Sequence, residues 1–166
     1  MKTLAIKLHL LVFISFIFSL SAIPNENQMK IKNQNIKVES LIKKIEQNEF
    51  PHIFIDNIDF SENGGGGFRF YWNENTGKIL AAFIIISHET WQNKFCYFFD
   101  ANGFPIKYLK QTINRPDQPP EKGIIYGDKG EIIWQNIEAP PRNPNEIIEM
   151  FKKFRKSIDE YQSGFY

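Results

Sequence analysis

The stretch "SENGGGGFRFYWNENTGKILAAFIIIS", Ser61 to Ser87, decides the fold. Four glycines, Gly64, Gly65, Gly66 and Gly67, run straight into five large side chains. Phe68, Phe70 and Trp72 alternate with Arg69, Tyr71 and Asn73, the two-residue period of a strand. "NENTGK", Asn73 to Lys78, reads as a hairpin turn. Ile79 to Ser87 is apolar on both faces, which marks a strand inside a sheet rather than at its edge. A phosphate-cradling loop needs Lys-Ser/Thr after its glycines and then a helix whose amides point at the anion. Here a strand follows, so the P-loop and the dinucleotide fingerprint both fail, and no nucleotide or other cofactor is expected. The glycines are left as a flexible connection, or as a place where a partner approaches the backbone closely.

Working outward, the same punctuation repeats. Ile53, Ile55, Ile58 and Phe60 predict a strand before the glycines, bulged near Asp56-Asn57. Residues 91–99 predict a fourth strand, and "DANGF" carries an Asn102-Gly103 turn. Residues 104–112 predict a fifth. Residues 123–127 and 131–137 form a last hairpin around "GDKG". On the amino-terminal side, Val38, Leu41, Ile42 and Ile45 recur at helical spacing, and Pro51 follows the helix. On the carboxy-terminal side, Ile147, Ile148, Phe151, Phe154, Ile158 and Tyr161 form one helical stripe. Asn143 caps it, Pro144 takes its first position and Glu146 stands where a capping box wants an acid. The predicted fold is α+β: an antiparallel meander of about seven strands, with both helices packed on one face.

Residues 1–22 carry the pattern of a signal peptide. Lys2 and Lys7 precede the apolar run Leu8 to Leu20, and small residues follow at Ser19, Ser21 and Ala22. That run is too short for a span of about 20 apolar residues, so no stable membrane segment is expected after cleavage. Residues 23–35 are polar and aperiodic and predict a flexible mature N-terminus; 36–166 predict a single globular domain. The chain holds 20 Lys+Arg and 19 Asp+Glu, and without Lys2 and Lys7 the balance becomes 18 against 19. A formal charge of −1 argues against nucleic acid as a partner. Export to a periplasmic or extracellular space is the expected localisation. Cys96, the one cysteine, excludes an internal disulfide and reads as a buried, inert thiol.

Catalytic and metal chemistry is thinly represented. Mature histidines are limited to His52 and His88, with no His-x-x-x-His or Cys-x-x-Cys, so no metal site is expected. "DANG" opens like a calcium loop, but its twelfth position is Gln111. No Gly-x-Ser-x-Gly occurs. In a meander, alternate connections share one end of the sheet. The tight turns 74–78, 100–103 and 128–130 therefore share one end, and the irregular connections "SENGGGG", "HETWQN", "NRPDQPPEK" and "EAPPRN" share the other. Long loops on a rigid sheet are where function concentrates. The expected binding set is Glu62, Gly64, Gly65, Gly66, Gly67, His88, Trp91, Arg115 and Arg142. The expected function is an exported non-enzymatic domain that binds a protein or peptide partner, in an inhibitor, immunity-type or envelope accessory role. Two alternatives stand beside it: a small exported hydrolase using His88 with Glu89 or Asp117, and a carrier enclosing an apolar ligand.

Overall fold

A computed structural model of the chain describes residues 25–59, 65–88, 90–114, 122–137, 139–140 and 142–163. The 1–22 leader reading therefore lies outside the described residues. The elements run α1 (Glu26–Glu46), β1 (His52–Asp59), β2 (Gly65–Trp72), β3 (Ile79–Ser87), β4 (Gln92–Phe99), β5 (Pro105–Ile113), β6 (Lys122–Tyr126), β7 (Ile132–Gln135) and α2 (Pro144–Ser163). The strands form one antiparallel sheet in the order β1-β2-β3-β4-β5-β6-β7, the meander that the turn punctuation predicts.

Three turns close one end of this sheet, and each is built by a short polar side chain or a left-handed glycine. Asn73 Oδ1 accepts from the amides of Asn75 and Thr76, at 2.9 and 3.1 Å, before Gly77 at φ +66°. Asp100 Oδ1 accepts from Asn102 and Phe104, at 2.8 and 2.9 Å, before Gly103 reaches φ +85°. Gly130 does the same in the third turn at φ +79°. These conformations are open to glycine at little cost, so each turn is encoded locally.

The central strands explain the layers. Along β4, Phe95, Tyr97 and Phe99 belong to one buried cluster, while Cys96 and Phe98 belong to another. Successive strand residues face opposite sides, so the sheet carries two cores and needs two covers. Ile147 and Phe151 of α2 close the first cluster; Val38, Leu41 and Ile45 of α1 close the second. The helices thus lie on opposite faces of the sheet, which corrects the expectation of a shared face. Both helical stripes are where the periodicity puts them. A stripe says that a helix needs a surface, and does not say which side of the sheet supplies it.

A second correction concerns 25–35, expected as a flexible lead-in and found as the first half of α1. Asn25 caps it, its side chain accepting from the Asn27 amide. This half docks through polar contacts, which hydrophobic periodicity cannot register. Buried Gln34 donates to Asp128 Oδ1 at 3.1 Å, Lys37 donates to the same oxygen, and Lys107 Nζ donates to Asn35 at 2.8 Å. At the other terminus the prediction holds: Asn143 Oδ1 accepts from the Asn145 amide at 2.9 Å and α2 begins at Pro144.

Candidate functional site

The end of the sheet opposite the three tight turns is the candidate site. Its floor is the start of β2, the end of β3 and the start of β4. Here the glycines differ from expectation. Gly65, Gly66 and Gly67 are strand, not loop: Gly65 and Gly66 pair with Asp59 and Ile58 on one side, and Gly66 and Gly67 pair with Ile86 and Ile85 on the other. Gly64 and Glu62 lie outside the described residues. A Cβ on Gly67 would stand 2.6 Å from the Ile55 carbonyl oxygen, because β1 steps out of register between Ile55 and Ile58. The bulge predicted near Asp56-Asn57 is therefore present, and Gly67 is the residue that lets β2 pass beneath it.

Next to this floor, the β3–β4 connection brings His88 and Trp91 together. Their rings stack with centroids 3.7 Å apart and planes 18° from parallel. The His88 amide donates to the Trp91 carbonyl at 2.8 Å, so the backbone fixes the spacing that the rings exploit. One step into the sheet, Gln92 Nε2 donates to Ser87 Oγ at 3.2 Å, and Thr112 Oγ1 donates to Asn93 Oδ1 at 3.2 Å. The pair is half-buried and stands on rigid, cross-bonded strand ends. An amphipathic aromatic surface of this kind suits contact with another polypeptide. The partner of the His88 ring among the described residues is an indole. Glu89 and Asp117, the carboxylates of the hydrolase alternative, lie outside the described residues, as does Arg115.

Arg142 is not part of this end. Its carbonyl oxygen accepts from the Tyr97 hydroxyl at 3.3 Å, in the interior of the face that α2 covers. Asn143 and Pro144, which follow it, line a recess of about 570 Å³ with Pro105, Tyr126 and Ile132, next to the tight turns. The last connection therefore runs back along the sheet instead of stopping at its loop end. The meander rule places alternate turns, but a connection into a covering helix is free of it. This recess opens to solvent, as does a groove of about 630 Å³ along α2 between Gly77, Phe151, Arg155 and Asp159. Neither encloses a ligand in the way the carrier alternative requires.

Behind the recess sit three tyrosines. Tyr97 and Tyr108 are fully buried with ring centroids 4.9 Å apart, and Tyr126 is nearly so. Burial pushes all three phenols above their ordinary range. The Tyr108 hydroxyl has no hydrogen-bond partner among the described residues. Pairing across β4, β5 and β6 puts these tyrosines inside.

Periodicity also passes over two cation–ring pairs on the α1 face. The Arg69 guanidinium lies 4.6 Å from the Phe54 ring centroid, and the Lys94 ammonium 4.7 Å from that of Phe83. Both join neighbouring strands, so the signal sits in strand register and not in any single segment. Among the described residues there is no cluster of three or more His, Cys, Asp or Glu side chains able to hold a metal, and no helix long and apolar enough to cross a membrane. No family model, curated protein or solved structure matches the chain.

Proposed function

We propose that the chain is an exported, non-enzymatic binding domain that recognises a protein or peptide partner with the loop end of its sheet. The leader pattern of 1–22 supports export. The observation that carries the binding role is the His88–Trp91 stack, a half-buried aromatic pair held on strand ends and not folded into either core. Tryptophan supplies large contact area at low conformational cost, which is why it dominates contact energies in many interfaces. Gly65 beside it leaves the backbone at the start of β2 exposed and without side-chain cover.

Site-specific photocrosslinking tests this reading. A benzoylphenylalanine placed at Trp91 in the full chain, expressed in its own cells, is expected to yield one discrete heavier species. The same probe at exposed Lys153, on the outer side of α2, is expected to yield none. Equal labelling from both positions, or none from position 91, would refute the loop end as the binding surface.

A further inference from the structure

β1 is an edge strand whose one neighbour in the sheet, among the described residues, is β2. Every second residue of an antiparallel edge turns its N–H and C=O outward, away from the sheet. Pairing with β2 is regular from His52 to Ile55 and then breaks at the bulge. This four-residue run, His-Ile-Phe-Ile, contains no proline, lysine or carboxylate, the residues that usually blunt an edge. The opposite edge differs: β7 is four residues long in total, and α1 packs over the β5–β7 side of the sheet.

The side chains beside this edge have a definite chemistry. Phe54 is 49 % exposed on the α1 face, beyond the reach of the helix core. Arg69 stands directly across from it on β2 and lays its guanidinium on the Phe54 ring, which turns the cation toward the open edge. Its other partner is the Tyr71 hydroxyl, at a long 3.5 Å. Both partners are uncharged. Further in on the same face, Lys94 is only 6 % exposed, with its ammonium over the Phe83 ring. Arg69 therefore places one cation, seated on a phenyl ring, beside the open edge of this face, while Lys94 is buried further in. A guanidinium held this way keeps donors free for a bidentate carboxylate.

We infer that β1 accepts an extended acidic peptide segment as an eighth strand. Main-chain hydrogen bonds to His52–Ile55 would supply register, and a glutamate or aspartate opposite Phe54 would reach the Arg69 guanidinium above the ring. The occupant is a peptide and not a second copy: the His52–Ile55 run carries no carboxylate, and Asp56 beyond it stands in the bulge, where regular pairing ends. This surface is separate from the loop end, and the inference stands without the function proposed above.

The probe is a seven-residue peptide alternating valine and glutamate, with a glutamine counterpart and a version carrying a central proline. Anisotropy at low salt, together with amide chemical-shift mapping on the full chain, reads binding and place. The glutamate peptide is expected to bind with shifts centred on His52–Ile55. The glutamine peptide should bind about tenfold more weakly, the size of one charge-assisted hydrogen bond. The proline peptide should not bind. Arg69→Gln should bring the glutamate peptide down to the glutamine level, and Arg69→Lys should restore part of the difference. A thermal melt of each variant checks that the sheet is intact, and Trp91→Ala should leave peptide affinity unchanged. Equal affinity for the glutamate and glutamine peptides overturns the inference, as do shifts mapping elsewhere or no binding at all. Self-association through β1 in sedimentation would replace the peptide with a second copy and overturn it equally.

Discussion

Gly67 and Ile55 meet across the first two strands so closely that a Cβ on Gly67 would stand 2.6 Å from the Ile55 carbonyl oxygen. The contact ties the glycine run to the bulge of β1, two features that look unrelated along the chain. Gly67→Ala must push β1 away or distort the bulge. The expected cost is about 1–3 kcal/mol, the usual range for forcing extra volume into a packed site. Gly65→Ala, at an exposed strand position, should change stability by less than about 1 kcal/mol. Urea midpoints of the two variants check this. Equal midpoints would mean that the β1 backbone yields freely at the bulge.

The two-sided sheet makes a prediction about additivity. Ile147 of α2 and Ile45 of α1 close separate cores on opposite faces. Ile147→Val and Ile45→Val should each cost about 0.5–1.5 kcal/mol. The double variant should equal the sum to within about 0.5 kcal/mol, since the sites share no partner. A coupling well above that would mean that the two cores communicate through the sheet.

The tyrosines set an alkaline limit on stability. Burial raises the phenols of Tyr97, Tyr108 and Tyr126 in the folded chain, while an unfolded tyrosine loses its proton near pH 10. Below that pH both states hold these protons and the stability is fully present. Above it the unfolded state releases protons that the folded state retains, so stability falls as pH rises. An absorbance titration at alkaline pH should show at least three of the six tyrosines ionising only together with the loss of near-ultraviolet circular dichroism. Smooth ionisation of all six before unfolding would contradict the burial of the three.

Asp128 anchors the first half of α1. Its carboxyl is held below the usual range by the hydrogen bond and charge of Lys37, with Gln34 adding a further bond. Asp128→Ala removes the acceptor of both side chains and leaves the buried Gln34 amide without the carboxylate it donates to. Amide exchange should quicken across 26–35 and change little across 36–46, whose stripe rests on apolar packing. The same local loosening should set in for the unaltered chain as pH falls below the ordinary carboxylate value of about 4, and grow until the depressed Asp128 carboxyl is itself protonated. Uniform exchange along α1 in the variant would refute the polar anchor.

Local chemistry made most of the architecture legible. Asn73-Gly77 and Asp100-Gly103 announce their turns because the required conformations admit few residue types. The apolar run Ile79–Ser87 announces a central strand, and the Ile147–Phe151–Phe154 stripe announces α2, because both follow from period alone. The site was legible only in part. His88 and Trp91 lie three residues apart and share one connection, so the turn pattern brings them to one end. Arg142 was misplaced because the path from β7 to α2 obeys packing against Tyr97 and not strand alternation. The Phe54–Arg69 pair was invisible, since it exists only once β1 and β2 are in register.

The sequence by itself determined the strand order, the turn positions, both apolar helix stripes and the bulge near Asp56. Each depends on neighbours within a few residues. Only the tertiary structure decided which face each helix covers, that Gly65 to Gly67 are strand, and that Tyr97, Tyr108 and Tyr126 are core. Those outcomes depend on which distant surfaces meet, and a stripe or an alternation records only that a surface must be covered. The partner of Phe151 could be any apolar face; the packed sheet made it Phe70 and Trp72.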